Sequence, residues 1–427
     1  MKYLISLALS LCFISTKGSD IDSLLNKLKT TPDGEEKIEL LYKLSKGIYN
    51  SDLERAYEYA IQQKELSVKL DKQLWLAKAH GLLGFLAKQG KSPGDAIPHY
   101  VKAIEIFKNL NEYLYLADNY YNLANIFLLA EDYTNAQKYY EKAYELFSKE
   151  GDESYFAWIN LNLGKCYAAK GMHELAIGKY DTALLQTKDA YTINLLYNRI
   201  GISYFDQKKY EQARNSYLQS ISVEGLSDKK RKEVIAFNNI GETYLQEGDY
   251  DKAEDYFRNS LSLINYVSDA DNKLTCLTLL NFGQLFLATE QLDSAEMYLK
   301  TMANKADEST INRDLLKALH LLNRVHNINA EKLIFPDGKE MLLFENLYNA
   351  QLTLLDDLNK KLIVLNNQYM LQVNYEVPLL KEQVDQLVTS LEANKIYLGI
   401  TILLALAIII PFSVVRWRYY RIKKVLS

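Results

Sequence analysis

Five histidines, His80, His99, His173, His320 and His326, are the residues that would first suggest metal or acid–base chemistry. No two are spaced i, i+4, so no helix presents a pair of imidazoles to a zinc ion, and each is expected as an ordinary core or solvated histidine. Cys166 and Cys276 stand 110 residues apart within apolar helical patterns and are expected as buried thiols, not a disulfide. There is no phosphate-cradling glycine loop, dinucleotide fingerprint or serine elbow. Asp356 and Asp357 fall on a helix surface, where solvation suffices. No catalytic, cofactor or metal site is expected. What recurs is asparagine: Asn122, Asn162, Asn239 and Asn281 return at steps near 40 residues, with Arg199 in the remaining place. An amide donates and accepts together, so such a row can hold an extended backbone or tie neighbouring helices.

The elements that position this row are repeats. A small residue (Gly84, Ala124, Gly164, Gly201, Gly241, Gly283) precedes an alanine by 12 (Ala96, Ala136, Ala176, Ala213, Ala253, Ala295). Four residues later stands Tyr100, Tyr140, Tyr180, Tyr217, Phe257 or Leu299, and a large apolar residue precedes each small one. Two antiparallel helices approach closely only where side chains are small, and the aromatic is expected to fill the groove to the next hairpin. Each hairpin then leaves an apolar face that only its neighbour can cover, so the units must stack. With six prolines and 18 glycines, mostly between periodic stretches, the chain reads as all-α.

The lines "YYNLANIFLLAEDYTNAQKYYEKAYELF", "NLNLGKCYAAKGMHELAIGKYDTALLQ" and "FNNIGETYLQEGDYDKAEDYFRNSLSL" carry the small–aromatic–alanine–aromatic pattern and resemble the tetratricopeptide repeat family. The resemblance implies a helical-hairpin solenoid whose first helices line a groove that binds protein or peptide. Six clear repeats span 76–307, between a degenerate N-terminal repeat and cap at 19–75, pairing Ser45 with Ala56, and a degenerate hairpin at 308–358. The step of 37 to 42 residues exceeds the family's usual length. Offsets from the small residue direct Tyr121, Asn125, Lys165, Asn198, Asn238, Glu242 and Gln284 toward the groove, beside Asn122, Asn162, Arg199 and Asn239. Asn125, Asn162 and Arg199 match positions of the family's carboxylate clamp, whose two lysine places hold Tyr121 and Leu195 here. The alternative for any one asparagine is a structural tie between repeats.

Both ends point to a membrane. "MKYLISLALSLCFISTKG", residues 1–18, has the basic start, short apolar run and small-residue end of a secretory signal peptide. "IYLGITILLALAIIIPFSVV", 396–415, would make a helix of roughly 30 Å, enough for one crossing. Arg416, Arg418, Arg421, Lys423 and Lys424 in the tail 416–427 orient it with the C-terminus cytoplasmic, which leaves the repeats in the periplasm of an inner-membrane protein. Between repeats and span, 359–395 carries a heptad seam interrupted at Pro378. It is either a stalk that pairs two copies into a homodimer or an amphipathic helix folded back on the last repeat.

This order resembles the input half of tetratricopeptide-containing membrane sensor regulators common in Bacteroidetes, without their output domain. The resemblance implies a sensor-like interaction module whose output leaves through a separate partner. A constitutive envelope scaffold or tether, or a truncated sensor remnant, is the alternative. A formal net charge of −4 over 427 residues argues against nucleic acid.

Overall fold

Eight of the interhelical turns close in the same way, and their chemistry explains the spacing of the elements. At each, a residue with positive φ (Asp71, Asn111, Glu131, Gly151, Gly171, Lys208, Gly248, Glu290) ends a helix. The next residue's N–H returns to a carbonyl five residues back, as Asp132 does to Phe127 at 2.9 Å and Asp249 to Tyr244 at 3.0 Å. This left-handed cap satisfies carbonyls that the helix end would strand. Asp52, Asp132 and Asp189 then cap the following helices, each side chain accepting from the N–H three residues on.

In the computed structural model the described residues are 18–90, 93–264, 266 and 272–305, with 317, 318 and 321. They form fifteen α-helices and no strand. The helices are α1 (Gly18–Thr30), α2 (Glu35–Ile48), α3 (Leu53–Lys69), α4 (Gln73–Gln89), α5 (Ala96–Asn109), α6 (Tyr113–Leu129), α7 (Tyr133–Glu150) and α8 (Phe156–Ala169). They continue as α9 (His173–Leu185), α10 (Ala190–Asp206), α11 (Tyr210–Ile221), α12 (Lys229–Glu247), α13 (Tyr250–Ile264), α14 (Asn272–Ala288) and α15 (Leu292–Lys305). A short 3₁₀ turn, Pro93–Asp95, joins α4 to α5.

From α4 onward the helices pair as six antiparallel hairpins, α4/α5 to α14/α15, with α2/α3 before them as a shorter-turned hairpin. In that first hairpin Ser45 Oγ donates to the Ala56 carbonyl at 2.7 Å, so a hydroxyl stands where later repeats have a bare glycine or alanine. First helices also touch the next first helix (α2 with α4, α4 with α6, α8 with α10, α12 with α14). Successive second helices make no comparable contact among the described residues, so the first helices form the tighter, inner wall.

The aromatic of each central repeat makes two kinds of contact in the core. A Cβ built on Gly164, Gly201 or Gly241 would lie 2.3–2.4 Å from Cε1 of Tyr180, Tyr217 or Phe257 of the same hairpin. The aromatic therefore lies on its own hairpin's glycine and, as expected, also faces the next hairpin: Phe257 meets Phe282 with centroids 5.8 Å apart, and Tyr217 packs with Ala236 and Ile240. The paired alanines, Ala96 through Ala295, are all 0% exposed. Cys166 and Cys276 are free, buried thiols, as the pattern predicted.

The chain divides into two units, 1–364 and 365–427. The signal segment up to residue 17, nearly all of the hairpin at 308–358, the stalk, the span 396–415 and the basic tail lie outside the described residues. Among the described residues no helix is long and apolar enough to cross a membrane.

Candidate functional site

The inner wall presents the asparagine row, and its hydrogen bonds divide the row by role. Asn162 Nδ2 on α8 reaches Asn125 Oδ1 on α6 at 3.5 Å. Asn239 Nδ2 on α12 donates to Asn198 Oδ1 on α10 at 2.9 Å. Asn281 Nδ2 on α14 donates to Asn238 Oδ1 on α12 at 3.1 Å. Three junctions between successive first helices are thus closed by amide pairs. Asn122 instead donates to the Asp118 carbonyl of its own helix at 2.9 Å.

Asn238 does not line the groove. It is 1% exposed, and its Nδ2 also lies within hydrogen-bond distance of the Val234 carbonyl, Ser260 Oγ and Thr278 Oγ1. Its place is an interior tie between α12, α13 and α14. Asn162, 5% exposed, is largely covered too, and Asn281 at 3% likewise. Asn198, Asn239 and Glu242 are half-buried.

The junction between α8 and α10 is built differently. No side-chain hydrogen bond joins those helices among the described residues; Lys165 and Arg199 stand there instead. Lys165 Nζ donates to Asn162 Oδ1 at 3.0 Å. Burial, reinforced by the Arg199 guanidinium, pushes the Lys165 ammonium down to about 8. Arg199 Nε is buried without a hydrogen-bond partner. No carboxylate lies within ion-pair distance of either cation among the described residues. Two desolvated like charges without an anion are costly, and an incoming carboxylate would relieve both.

Beside them is a polar cluster that the offsets only partly anticipated. Tyr140 Oη donates to Asn125 Oδ1 at 2.6 Å, and the Tyr121 ring packs against Tyr140 and Tyr155 with centroids 5.8 and 5.1 Å away. Tyr155 Oη donates to Asp118 Oδ1 at 3.1 Å. Asp118 and Tyr155 were not singled out in the sequence. Asp118 lies six residues before Ala124, two turns from the marker, where no repeated residue type drew notice.

The structure also joins two histidines that looked unrelated. His80 Nδ1 on α4 and His99 Nδ1 on α5 are 3.3 Å apart. Burial first, then His99, Lys64 and Lys102, holds His80 down to about 4, and burial lowers His99 as well. The repeat spacing carried a signal for this pair. His80 precedes Gly84 by four and His99 follows Ala96 by three, the offsets that bring Asn160 and Lys179 to one cleft beside α7.

Two tetratricopeptide repeat profiles match the chain, one over residues 115–189 and 232–302 and the other over 198–265. No curated protein matches. Similar solved structures include a tetratricopeptide repeat protein from Parabacteroides merdae ATCC 43184, at 16% identity and TM-score 0.49, covering 68% of this chain and 100% of that one. A Rap protein complexed with competence and sporulation factor is 15% identical with TM-score 0.45, covering 73% of this chain and 92% of that one. BtubC (BKLC) from P. vanneervenii is 22% identical with TM-score 0.42, covering 50% of this chain and 91% of that one. With the profile matches falling on hairpins of one repeated geometry, the array from α6 to α15 is built of tetratricopeptide repeats.

Proposed function

We propose that the inner wall binds a segment of a partner protein through a carboxylate held at Lys165 and Arg199, and that the chain is a non-enzymatic, sensor-like interaction module. A tetratricopeptide array is a protein–protein interaction module. The observation that carries the finer reading is the α8–α10 junction, where an amide pair gives way to two cations without an anion. Three other junctions pair their amides with each other; this one leaves its cations for a ligand. Under the same proposal the array is periplasmic and anchored in the inner membrane, supported by the apolar segment 396–415 and the basic residues after it.

Arg199→Ala tests the binding role. Loss of a charge-assisted contact of about 1.5–3 kcal/mol should weaken partner capture after crosslinking by one to two orders of magnitude. The melting temperature should hold or rise, because Arg199 Nε has no internal partner to lose. A lower melting temperature with unchanged capture would make Arg199 a structural residue. Protease added to spheroplasts tests the placement: the repeats should be digested while a C-terminal tag is spared. Protected repeats would refute it.

A further inference from the structure

Charge on the inner wall is not confined to the two cations. Asp118 on α6 is a half-buried carboxylate that accepts from Tyr155 Oη at 3.1 Å and has the Asn122 amide beside it. No Lys or Arg lies within ion-pair distance of it among the described residues. Burial raises its pKa, and the Tyr155 and Asn122 hydrogen bonds and the more distant Lys46 do not offset that rise. The wall therefore holds an acid without a base on α6 and bases without an acid on α8 and α10. The floor between them is neutral and polar: Tyr121, Asn125 and Asn162.

The acid and the two bases stand on successive first helices with no ion pair among them. Kept apart, they form a dipole that a ligand of matching length and opposite sense would complete. First helices pack about 9 Å apart per step, and Lys165 Nζ reaches back to Asn162 Oδ1 on the floor at 3.0 Å. The gap to be bridged is thus about 10–15 Å, the length of an extended chain of about three to five residues. A protein C-terminus docked at Lys165 and Arg199 leaves Asp118 unsatisfied. The Tyr121 and Tyr155 rings pack together beside Asp118.

Building on the carboxylate reading above, we infer that the wall binds a short free peptide of about three to five residues, its α-ammonium at Asp118 and its α-carboxylate at Lys165 and Arg199. The asparagine and tyrosine floor meets the peptide backbone and does not read side chains, so recognition is by length and by two free ends.

Randomised tetrapeptide pools test this with the full-length chain. They are supplied with free ends, with an acetylated N-terminus or with an amidated C-terminus, and binding is read by melting-temperature shift and mass spectrometry of retained peptides. The free pool should bind, and either cap should weaken binding by about tenfold or more. In Asp118→Asn the acetyl cap should cease to matter while the amide cap still does, and Arg199→Leu should show the converse. An acetyl cap without effect on the unmutated chain overturns this inference and leaves the carboxylate reading intact. An amide cap without effect overturns both. Free octapeptides binding as well as tetrapeptides would mean that the ligand is a passing segment, not a free short peptide. No binding by any free-ended pool refutes the dipole as a peptide site together with the carboxylate reading.

Discussion

Lys165 is the side chain through which pH reaches the inner wall. Its folded value of about 8 lies below the ordinary 10.5, chiefly through burial and secondarily through Arg199. The unfolded chain thus holds that proton more tightly, and the array gains stability as pH rises from about 8 toward 10.5. A bound carboxylate works the other way, because it needs the proton in place. Affinity for a carboxylate ligand should therefore fall about tenfold between pH 7 and 9.5, and Lys165→Met should flatten the profile. Calorimetric titration across that range checks it, and a flat profile for the unmutated chain would remove Lys165 from the site. At this scale the sequence showed which residues recur but not which way each would turn. Asn198 and Asn238 share an offset, yet only Asn238 is interior. Repeat six offers it the Thr278 hydroxyl, whereas the corresponding residue facing Asn198 is Ala236, which can accept nothing. That difference lies in the neighbouring repeat and is invisible in the residue's own.

At the scale of the helical hairpin, the governing contact is a ring on a glycine. Gly241→Ala would bring a methyl to 2.4 Å from Phe257 Cε1, and the aromatic has no free space to retreat into because it is 0% exposed. The substitution should cost about 1–3 kcal/mol. Gly178 on α9 is the internal control, with nothing within 4 Å of its would-be Cβ. Gly178→Ala should instead stabilise by about 0.5–1 kcal/mol, the ordinary gain of alanine over glycine in a helix. Urea midpoints of the two variants against the parent decide it, and equal effects would mean that the ring contact is misplaced. The spacing of glycine, alanine and aromatic was fully legible because every hairpin needs it for the same steric reason. The ring's contact with the next hairpin was legible too; that it also lies on its own hairpin's glycine was not, since the offset does not say what lies beneath the ring. The turns were half legible. Gly151, Gly171 and Gly248 announce left-handed caps, whereas Asp71, Glu131, Lys208 and Glu290 adopt positive φ without glycine, held by the returning hydrogen bond.

For the whole array, stability is a sum over hairpins and the interfaces between them, so a weak junction is felt as local opening. Acid should act first at the α4/α5 hairpin. His80 and His99 share one hydrogen bond, which requires at least one neutral ring, and burial with Lys64 and Lys102 opposes charging His80; Asp95 favours it only at His99. His80 titrates near 4 in the fold and near 6.5 when unfolded, so below pH 6.5 the unfolded chain takes up protons that the native pair refuses. Stability is intact above that value and drains as pH falls toward 4. Discounted for partly exposed rings, the loss between pH 7 and 5 should be about 1–2 kcal/mol, read from urea midpoints. A His80→Gln, His99→Gln variant should lose less, and an unchanged slope would refute the pair as the acid-sensitive element. The solenoid was legible at this scale from self-similarity alone. The histidine pair is not visible at helical spacing, because the two meet across a hairpin 19 residues apart.

Among the described residues two free cysteines lie in the third and sixth repeats, Cys166 at 0% and Cys276 at 2% exposure. Burial pushes the Cys166 thiol up to about 11, so in the closed array it has almost no thiolate to offer. A thiol-reactive dye can therefore modify Cys166 only when its hairpin opens, and Cys276 in the same way. Native-state labelling rates give two independent clocks on one molecule, one close to the Lys165–Arg199 junction and one near the far end of the described helices. A ligand that closes the junction would slow the first clock and leave the second running.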